Sequence, residues 1–121
     1  MYTESEPMNL HKTSQNGVLI RLTEERWKHI ISGHSELVSY QAEILETIRH
    51  PEKILVGNHQ ELLAVKPIVS GKYLIVVYRE LLDEGFIITA YLTRRLRELT
   101  KRKQIWPQLT LIFNPILTSP R

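Results

Sequence analysis

The side chains of this chain that could carry chemistry include five histidines and sixteen lysines or arginines, but no cysteine. The absence of cysteine excludes a thiol nucleophile, a disulfide framework and a thiolate metal site. His29 and His34 lie five positions apart in one predicted helix, about 140° around its axis, so they cannot bind one metal ion as residues four positions apart do. No glycine-rich phosphate loop, GxSxG elbow or calcium-binding loop occurs. The sequence therefore predicts a protein that uses neither a metal nor a cofactor.

Histidine, tyrosine, hydroxyl and arginine side chains are the types that cleave RNA without a metal. Attack by a 2′-hydroxyl on the adjacent phosphorus needs a base, an acid for the leaving oxygen and cations that stabilise the developing negative charge. The residues of these types at the ends of two predicted strands are Arg79, Thr89, Tyr91, Arg94 and Arg95. They meet at one edge of the sheet if the hairpin register places Arg79 on the face of Thr89. A loop one residue longer reverses that face, so the sequence leaves the register open.

Positive charge is concentrated in the second half of the chain. Residues 1–60 contain six lysines or arginines and eight acidic residues, whereas residues 61–121 contain ten and five. Between positions 94 and 103 only Glu98 opposes the basic residues, and such a patch is typical of a protein that binds a polyanion. The alternative is a solvated helix face. The candidate RNA-binding residues are Arg95, Arg97, Lys101, Arg102 and Lys103.

Hydrophobic periodicity predicts one strand and two helices in the first half of the chain. Gly17–Leu22 has the composition of a short strand, and Thr23 is expected to cap a helix that ends at Gly33. A second helix begins near Ser35 and ends at His50–Pro51, because the residue before a proline disfavours the helical conformation.

Four strands follow, separated by turn signals at hairpin spacing: Lys53–Gly57, Glu61–Val69, Lys72–Glu80 and Gly85–Thr93. The predicted fold class is α+β, with the N-terminal strand and two helices packed on a four-stranded antiparallel meander. In the last strand, alternation predicts one apolar face toward the helices, formed by Phe86, Ile88, Ala90 and Leu92. The opposite face then carries Ile87, Thr89, Tyr91 and Thr93. The segment Thr93–Lys103 is predicted to form a short basic helix.

The chain is predicted to have one α+β domain, residues 17–106, between a flexible leader, residues 1–16, and an apolar extension, residues 107–121. The extension is expected to pack on the body or to form a contact in a homo-oligomer. The first seventeen residues lack the apolar run of a signal peptide, and no later apolar run approaches the length of a membrane span. The sequence therefore predicts a cytoplasmic protein with no membrane association.

Three motifs carry a resemblance to a known family: R-L-T-E-E-R-W-x-H-I-x-x-x-H at Arg21–His34, V-V-Y-R-E at Val76–Glu80 and G-F-I-I-T-A-Y-L-T-R-R at Gly85–Arg95. They resemble small bacterial and phage-associated proteins of the barnase–EndoU–colicin–RelE nuclease fold, over about residues 18–106. The resemblance implies a RelE- or barnase-like fold and metal-independent ribonuclease activity of the toxin type, which leaves a cyclic phosphate. It also implies an antitoxin protein as a possible partner. The site residues that it implies are a helix histidine, His29 or His34, together with Arg79, Thr89, Tyr91 and Arg94.

Each interpretation has a structural alternative. His34 can be a core or helix-end residue, Tyr91 an ordinary sheet residue, and Arg79 the partner of Glu80 or Glu84 in a surface ion pair. The whole protein can equally be a non-catalytic RNA-binding or protein-interaction module on the same fold, since a fold does not fix a function. A third alternative is a structural subunit whose apolar extension is its main interface.

Overall fold

A computed structural model describes residues 9–108. Its strands are β1 (Asn9–Thr13), β2 (Leu19–Thr23), β3 (Lys53–Val56), β4 (Leu62–Pro67), β5 (Tyr73–Glu80), β6 (Glu84–Thr93) and β7 (Gln104–Trp106). Its α-helices are α1 (Glu24–Gly33), α2 (Gln41–Arg49) and α3 (Leu96–Leu99), and short 3₁₀ turns span Ser35–Ser39 and Val69–Gly71. The predicted apolar extension falls almost wholly outside the described residues, and so do the first eight residues of the predicted leader.

The seven strands form one sheet in the order β1-β2-β6-β5-β4-β3-β7. Neighbouring strands are antiparallel except for β2 and β6, which pair in parallel over Leu19–Arg21 and Glu84–Phe86. The α+β class is confirmed, and the four predicted strands form β3 to β6 as consecutive neighbours. The prediction of a four-stranded sheet is wrong, because β2 pairs with β6 and two strands that the sequence did not reveal, β1 and β7, extend the edges.

Residues 9–13 belong to the predicted flexible leader, yet they form the edge strand β1. β1 joins β2 through a turn in which the Ser14 N–H donates to the Val18 carbonyl at 2.8 Å and Gly17 adopts a φ of 83°. A positive φ is easily reached only by glycine, so Gly17 permits this turn. The polar composition of Asn9–Thr13 gave little strand signal, and pairing with β2 decides its conformation.

The first predicted helix is confirmed at both ends. The Thr23 Oγ1 accepts a hydrogen bond from the Arg26 N–H at 3.1 Å, which satisfies one of the first N–H groups of α1. After Gly33 the His34 N–H still donates to the Ile30 carbonyl at 2.8 Å. The second helix begins later than predicted, because residues 35–39 form a 3₁₀ turn before α2.

Two hydrophobic clusters lie on opposite faces of the sheet. The face that α1 and α2 cover is here called the helix face, and its buried residues are Ile20, Leu22, Ile30, Leu37, Ile44, Ile48, Ala64, Leu74, Val76, Tyr78, Ile87 and Ala90. The opposite face is here called the second face, and α3 packs there. Its cluster consists of Leu55, Leu63, Val65, Ile75 and Leu99, with Tyr73, Val77, Tyr91 and Leu96 around it. The predicted basic helix Thr93–Lys103 is helical only over Leu96–Leu99.

A β-bulge interrupts the pairing of β5 with β6. Val77 pairs with Thr89 and Tyr78 pairs with Ile87, so Ile88 has no counterpart on β5. A bulge of this kind shifts the alternation of side chains by one position on one side of the extra residue.

The predicted orientation of β6 is therefore correct after the bulge and wrong before it. Ala90 and Leu92 pack on the helix face and Tyr91 on the second face, as predicted. Ile87 is instead buried on the helix face with 1% exposure, whereas Phe86 is 41% exposed. No hydrophobic pattern indicates the shift, because both positions that follow Phe86 are isoleucine.

Candidate functional site

The bulge settles the register that the sequence left open. Thr89 lies opposite Val77, and alternation along β5 places Arg79 on the same face as Val77. Arg79, Thr89 and Tyr91 therefore share the second face, an arrangement that the sequence left undecided.

Arg79 and Arg94 do not meet at one end of the sheet, contrary to the expectation from the sequence. Tyr73, at the start of β5, pairs with Thr93, at the end of β6, whereas Arg79 lies opposite Phe86. Six positions along a strand correspond to about 20 Å. The second face thus has two separate basic regions, one at Arg79 and one beyond Thr93.

A groove of about 300 Å³ lies between the second face and α3. It is lined by Tyr91, Thr93, Arg95, Glu98, Leu99 and Arg102. Arg102 follows α3 and its Nη1 donates to the Asn58 Oδ1 at 2.8 Å, which ties this arginine to the β3–β4 turn. One tyrosine and two arginines are therefore among the residues that line the groove.

Tyr91 keeps its proton at neutral pH. Burial raises the pKa of the Tyr91 phenol above its ordinary value, and the positive charge of Arg102 opposes that shift without cancelling it. Tyr91 is therefore a hydrogen-bond donor in the groove.

His34 lies near Tyr91 at an edge of β6 that no other described strand covers. β2 pairs only with the first three residues of β6, so beyond Phe86 that side of β6 has no strand neighbour within residues 9–108. The residue after α1 reaches this open edge, where the rings of His34 and Tyr91 lie 6.4 Å apart between centroids. The His34 Nδ1 is 3.7 Å from the Glu36 Oε2.

His29, the other predicted helix histidine, lies elsewhere. It is exposed and borders a different cavity, with Thr23, Glu25 and Arg26. His34 follows the last residue of α1 and has a non-helical backbone, and of the two histidines it is the one that lies beside Tyr91.

Arg79 is held at the β3–β4 turn and not by Glu80 or Glu84. Its Nη2 donates to the His59 carbonyl at 3.1 Å. Hydrogen bonds from the N–H groups of Glu61 and His59 lower the pKa of the nearby Glu61 carboxyl, and the charge of Arg79 lowers it further. Glu80 and Glu84 have other partners, since Glu80 accepts from Ser14 and Asn16 and Glu84 pairs with Arg21.

The predicted RNA-binding residues are distributed around α3. Arg95 and Arg102 border the groove, and Arg97 lines an adjoining cavity of about 420 Å³ together with Arg94, Arg95 and Glu98. Arg94 also borders a cavity at the sheet edge with Glu36 and Lys72. Lys101 and Lys103 are exposed.

Two further residues belong to this region and were not identified from the sequence. Glu98 lines the groove, and its position as the only acid in a basic segment was the available signal. Asn58 holds Arg102 from a turn far away in the sequence, and no local pattern marks that contact.

Within residues 9–108, no three histidine, aspartate or glutamate side chains cluster closely enough to hold a metal ion. No helix in the same range has the length and apolar character needed to cross a membrane. Comparison of the chain with protein-family models, with curated proteins and with solved structures finds no match. Membership of the nuclease-fold family therefore stays a prediction from the three motifs.

Proposed function

We propose that the protein is a metal-independent RNA endonuclease whose site is the groove beside Tyr91. One observation carries the proposal: the His34 imidazole lies 6.4 Å from the Tyr91 ring between centroids, and Tyr91 lines the groove together with Arg102. A proton acceptor, a hydroxyl donor and a cation are the three groups that cleavage by the 2′-hydroxyl needs. The resemblance of the three sequence motifs to the nuclease-fold family supports the same activity, of the toxin type and restrained by an antitoxin protein.

The proposed reaction assigns one step to each group. His34 takes the proton of the 2′-hydroxyl, the 2′ oxygen attacks phosphorus, and the bond from phosphorus to the 5′ oxygen breaks. Tyr91 gives its proton to that leaving oxygen, and the proton on His34 returns to Tyr91 through solvent. Arg95 and Arg102 stabilise the added negative charge on the phosphate oxygens. The products are a 2′,3′-cyclic phosphate and a 5′-hydroxyl.

The charge of the region supports RNA as the substrate. Arg94, Arg95, Arg97 and Arg102 border the groove or the cavity that adjoins it, and single-stranded nucleic acid binds along such basic grooves. Thr89 lies on the same face between the groove and Arg79, so a bound strand can reach both basic regions of the second face.

The test is cleavage of labelled RNA in the presence of EDTA, with the product ends identified by mass spectrometry. Tyr91→Phe and His34→Gln are expected to reduce the rate at least about 100-fold, as for loss of a general acid or base, while RNA affinity changes little. Tyr73→Phe and His29→Gln are matched controls of the same residue types, since Tyr73 does not line the groove and His29 borders a different cavity.

Two results would contradict the proposal. Cleavage that survives in both Tyr91→Phe and His34→Gln would place the site elsewhere. Binding of RNA with no cleavage of any RNA would instead support the non-catalytic RNA-binding module. A 2′-deoxy substitution at the cleaved position must also abolish the reaction, because the nucleophile is then missing.

A further inference from the structure

A row of three side chains crosses the second face at the beginning of β6. Phe86 pairs in register with Arg79 of β5 on one side and with Arg21 of β2 on the other. Directly paired residues project from the same face of a sheet, and neighbouring strands are about 4.8 Å apart. Phe86 therefore occupies the middle position of the row, with an arginine on the strand at each side.

Phe86 is an exposed aromatic residue although β6 is an interior strand of the sheet. Its exposure is 41%, because the bulge at Ile88 turns Ile87 toward the helices and Phe86 away from them. α1 and α2 cover the other face, and α3 packs on the cluster around Leu99. Bulges often redirect a side chain at a functional site, and here the redirected side chain is an aromatic ring.

The two flanking arginines are held in position by other groups. The Arg21 Nε is 3.2 Å from the Glu84 Oε1, and the Arg79 Nη2 donates to the neutral carbonyl of His59. The bond to the His59 carbonyl orients the Arg79 guanidinium, which also lies near the Glu61 carboxylate and lowers the pKa of that group. An exposed ring paired in register with an arginine on the neighbouring strand supplies the two properties that bind a nucleotide, a surface for the base and a cation for the phosphate.

We infer that Phe86, with Arg79 beside it, is a stacking platform for an unpaired base of the RNA that the Tyr91 groove binds. The inference rests on the proposed function and specifies its substrate as single-stranded RNA. Four positions along β5 separate the Phe86 pair from the Tyr91 pair, which corresponds to about 13 Å. A few nucleotides of extended strand span that distance, whereas the bases of a duplex are stacked on one another and cannot lie on the ring.

The experiment measures the affinity of a short unstructured RNA by fluorescence anisotropy. Phe86→Ala and Phe86→Leu are expected to weaken binding at least about fivefold, as for loss of one base–aromatic stack, and Phe86→Trp is expected to restore it. Leu82→Ala is the matched control, because Leu82 is a nearby apolar side chain with 96% exposure and is not in the row. The same RNA annealed to its complement should bind weakly and be insensitive to these substitutions.

A scan with single abasic positions locates the base. One position should weaken binding to the unmodified protein, and the same position should have no effect on Phe86→Ala. Wild-type affinity in both Phe86→Ala and Phe86→Leu would overturn the platform, and so would an equal loss in Leu82→Ala.

This binding experiment separates the two proposals. If Phe86→Ala binds normally while cleavage persists, the platform is wrong and the nuclease stands. If no RNA is cleaved but binding still depends on the ring of Phe86, the platform stands and the nuclease is wrong.

Discussion

Replacing Ile87 with alanine should be far more damaging to stability than replacing its neighbour Phe86, although phenylalanine is the larger residue. Ile87 is 1% exposed within the helix-face cluster, so Ile87→Ala leaves a cavity, and such substitutions cost about 2–5 kcal/mol. Phe86 is 41% exposed, and only part of its ring leaves contact with protein when it is removed. We expect Phe86→Ala to lower the free energy of unfolding by about 1 kcal/mol.

Urea denaturation followed by circular dichroism measures both values. With a slope of about 1–3 kcal/mol per molar urea, Ile87→Ala should move the midpoint down by about 1–2 M and Phe86→Ala by a fraction of that. Strict alternation along β6 makes the opposite prediction, because it places Phe86 inside and Ile87 outside. A larger loss in Phe86→Ala than in Ile87→Ala would therefore refute the bulge and the stacking platform built on it.

Three further outcomes follow from particular contacts. Tyr78→Phe removes a buried phenol that has no hydrogen-bond partner within residues 9–108; burial and the Glu80 charge raise the pKa of Tyr78 on folding. Because the unfolded chain loses the Tyr78 proton first, the free energy of unfolding is unaffected by this group below the unfolded pKa of about 10 and declines above it by up to about 1.4 kcal/mol per pH unit. The free energy of unfolding, measured with urea at increasing alkaline pH, should therefore fall less steeply for Tyr78→Phe than for the unmodified protein. Thr23→Ala should cost about 1 kcal/mol by loss of the cap, and an unchanged urea midpoint would contradict that role. Glutamine at the three exposed cations Arg97, Lys101 and Lys103 should reduce by about 2 the slope of log affinity for RNA against log salt concentration. An unchanged slope would place the binding surface elsewhere.

Local signals in the sequence were sufficient for most of the fold. Period-two hydrophobicity located β3 to β6, and a hydroxyl followed by two acids located the start of α1. β1 and β7 were missed for a physical reason: β1 is polar and β7 has only three residues, so pairing with a neighbour decides both conformations. The bulge was also unpredictable, because Ile87 and Ile88 are interchangeable in any hydrophobic pattern.

The candidate site was predictable in part. In the part of β6 that follows the bulge, alternation predicted Thr89 and Tyr91 on the face away from the helices, and the structure agrees. The sequence could not decide between His29 and His34. The decision depends on which part of the β6 edge is uncovered, and that is set by how far β2 pairs along β6. Arg79 was expected beside Arg94 because both follow strand ends in the sequence. β5 and β6 are antiparallel, so the end of β5 and the end of β6 lie at opposite ends of the strand pair, and the two arginines are far apart.

The hydrogen bond from Ser14 to Glu80 has a consequence for how the chain folds. It joins residues 66 positions apart, and the parallel pairing of β2 with β6 spans a similar separation. The hairpins from β3 to β6 close short loops, whereas docking the β1–β2 hairpin closes a long one at a higher cost in chain entropy. We therefore expect the β3–β6 meander to form first and the N-terminal hairpin to dock late. The last step of folding then creates the row of Arg21, Phe86 and Arg79, so the chain acquires this part of the proposed RNA surface only after the N-terminal hairpin has docked.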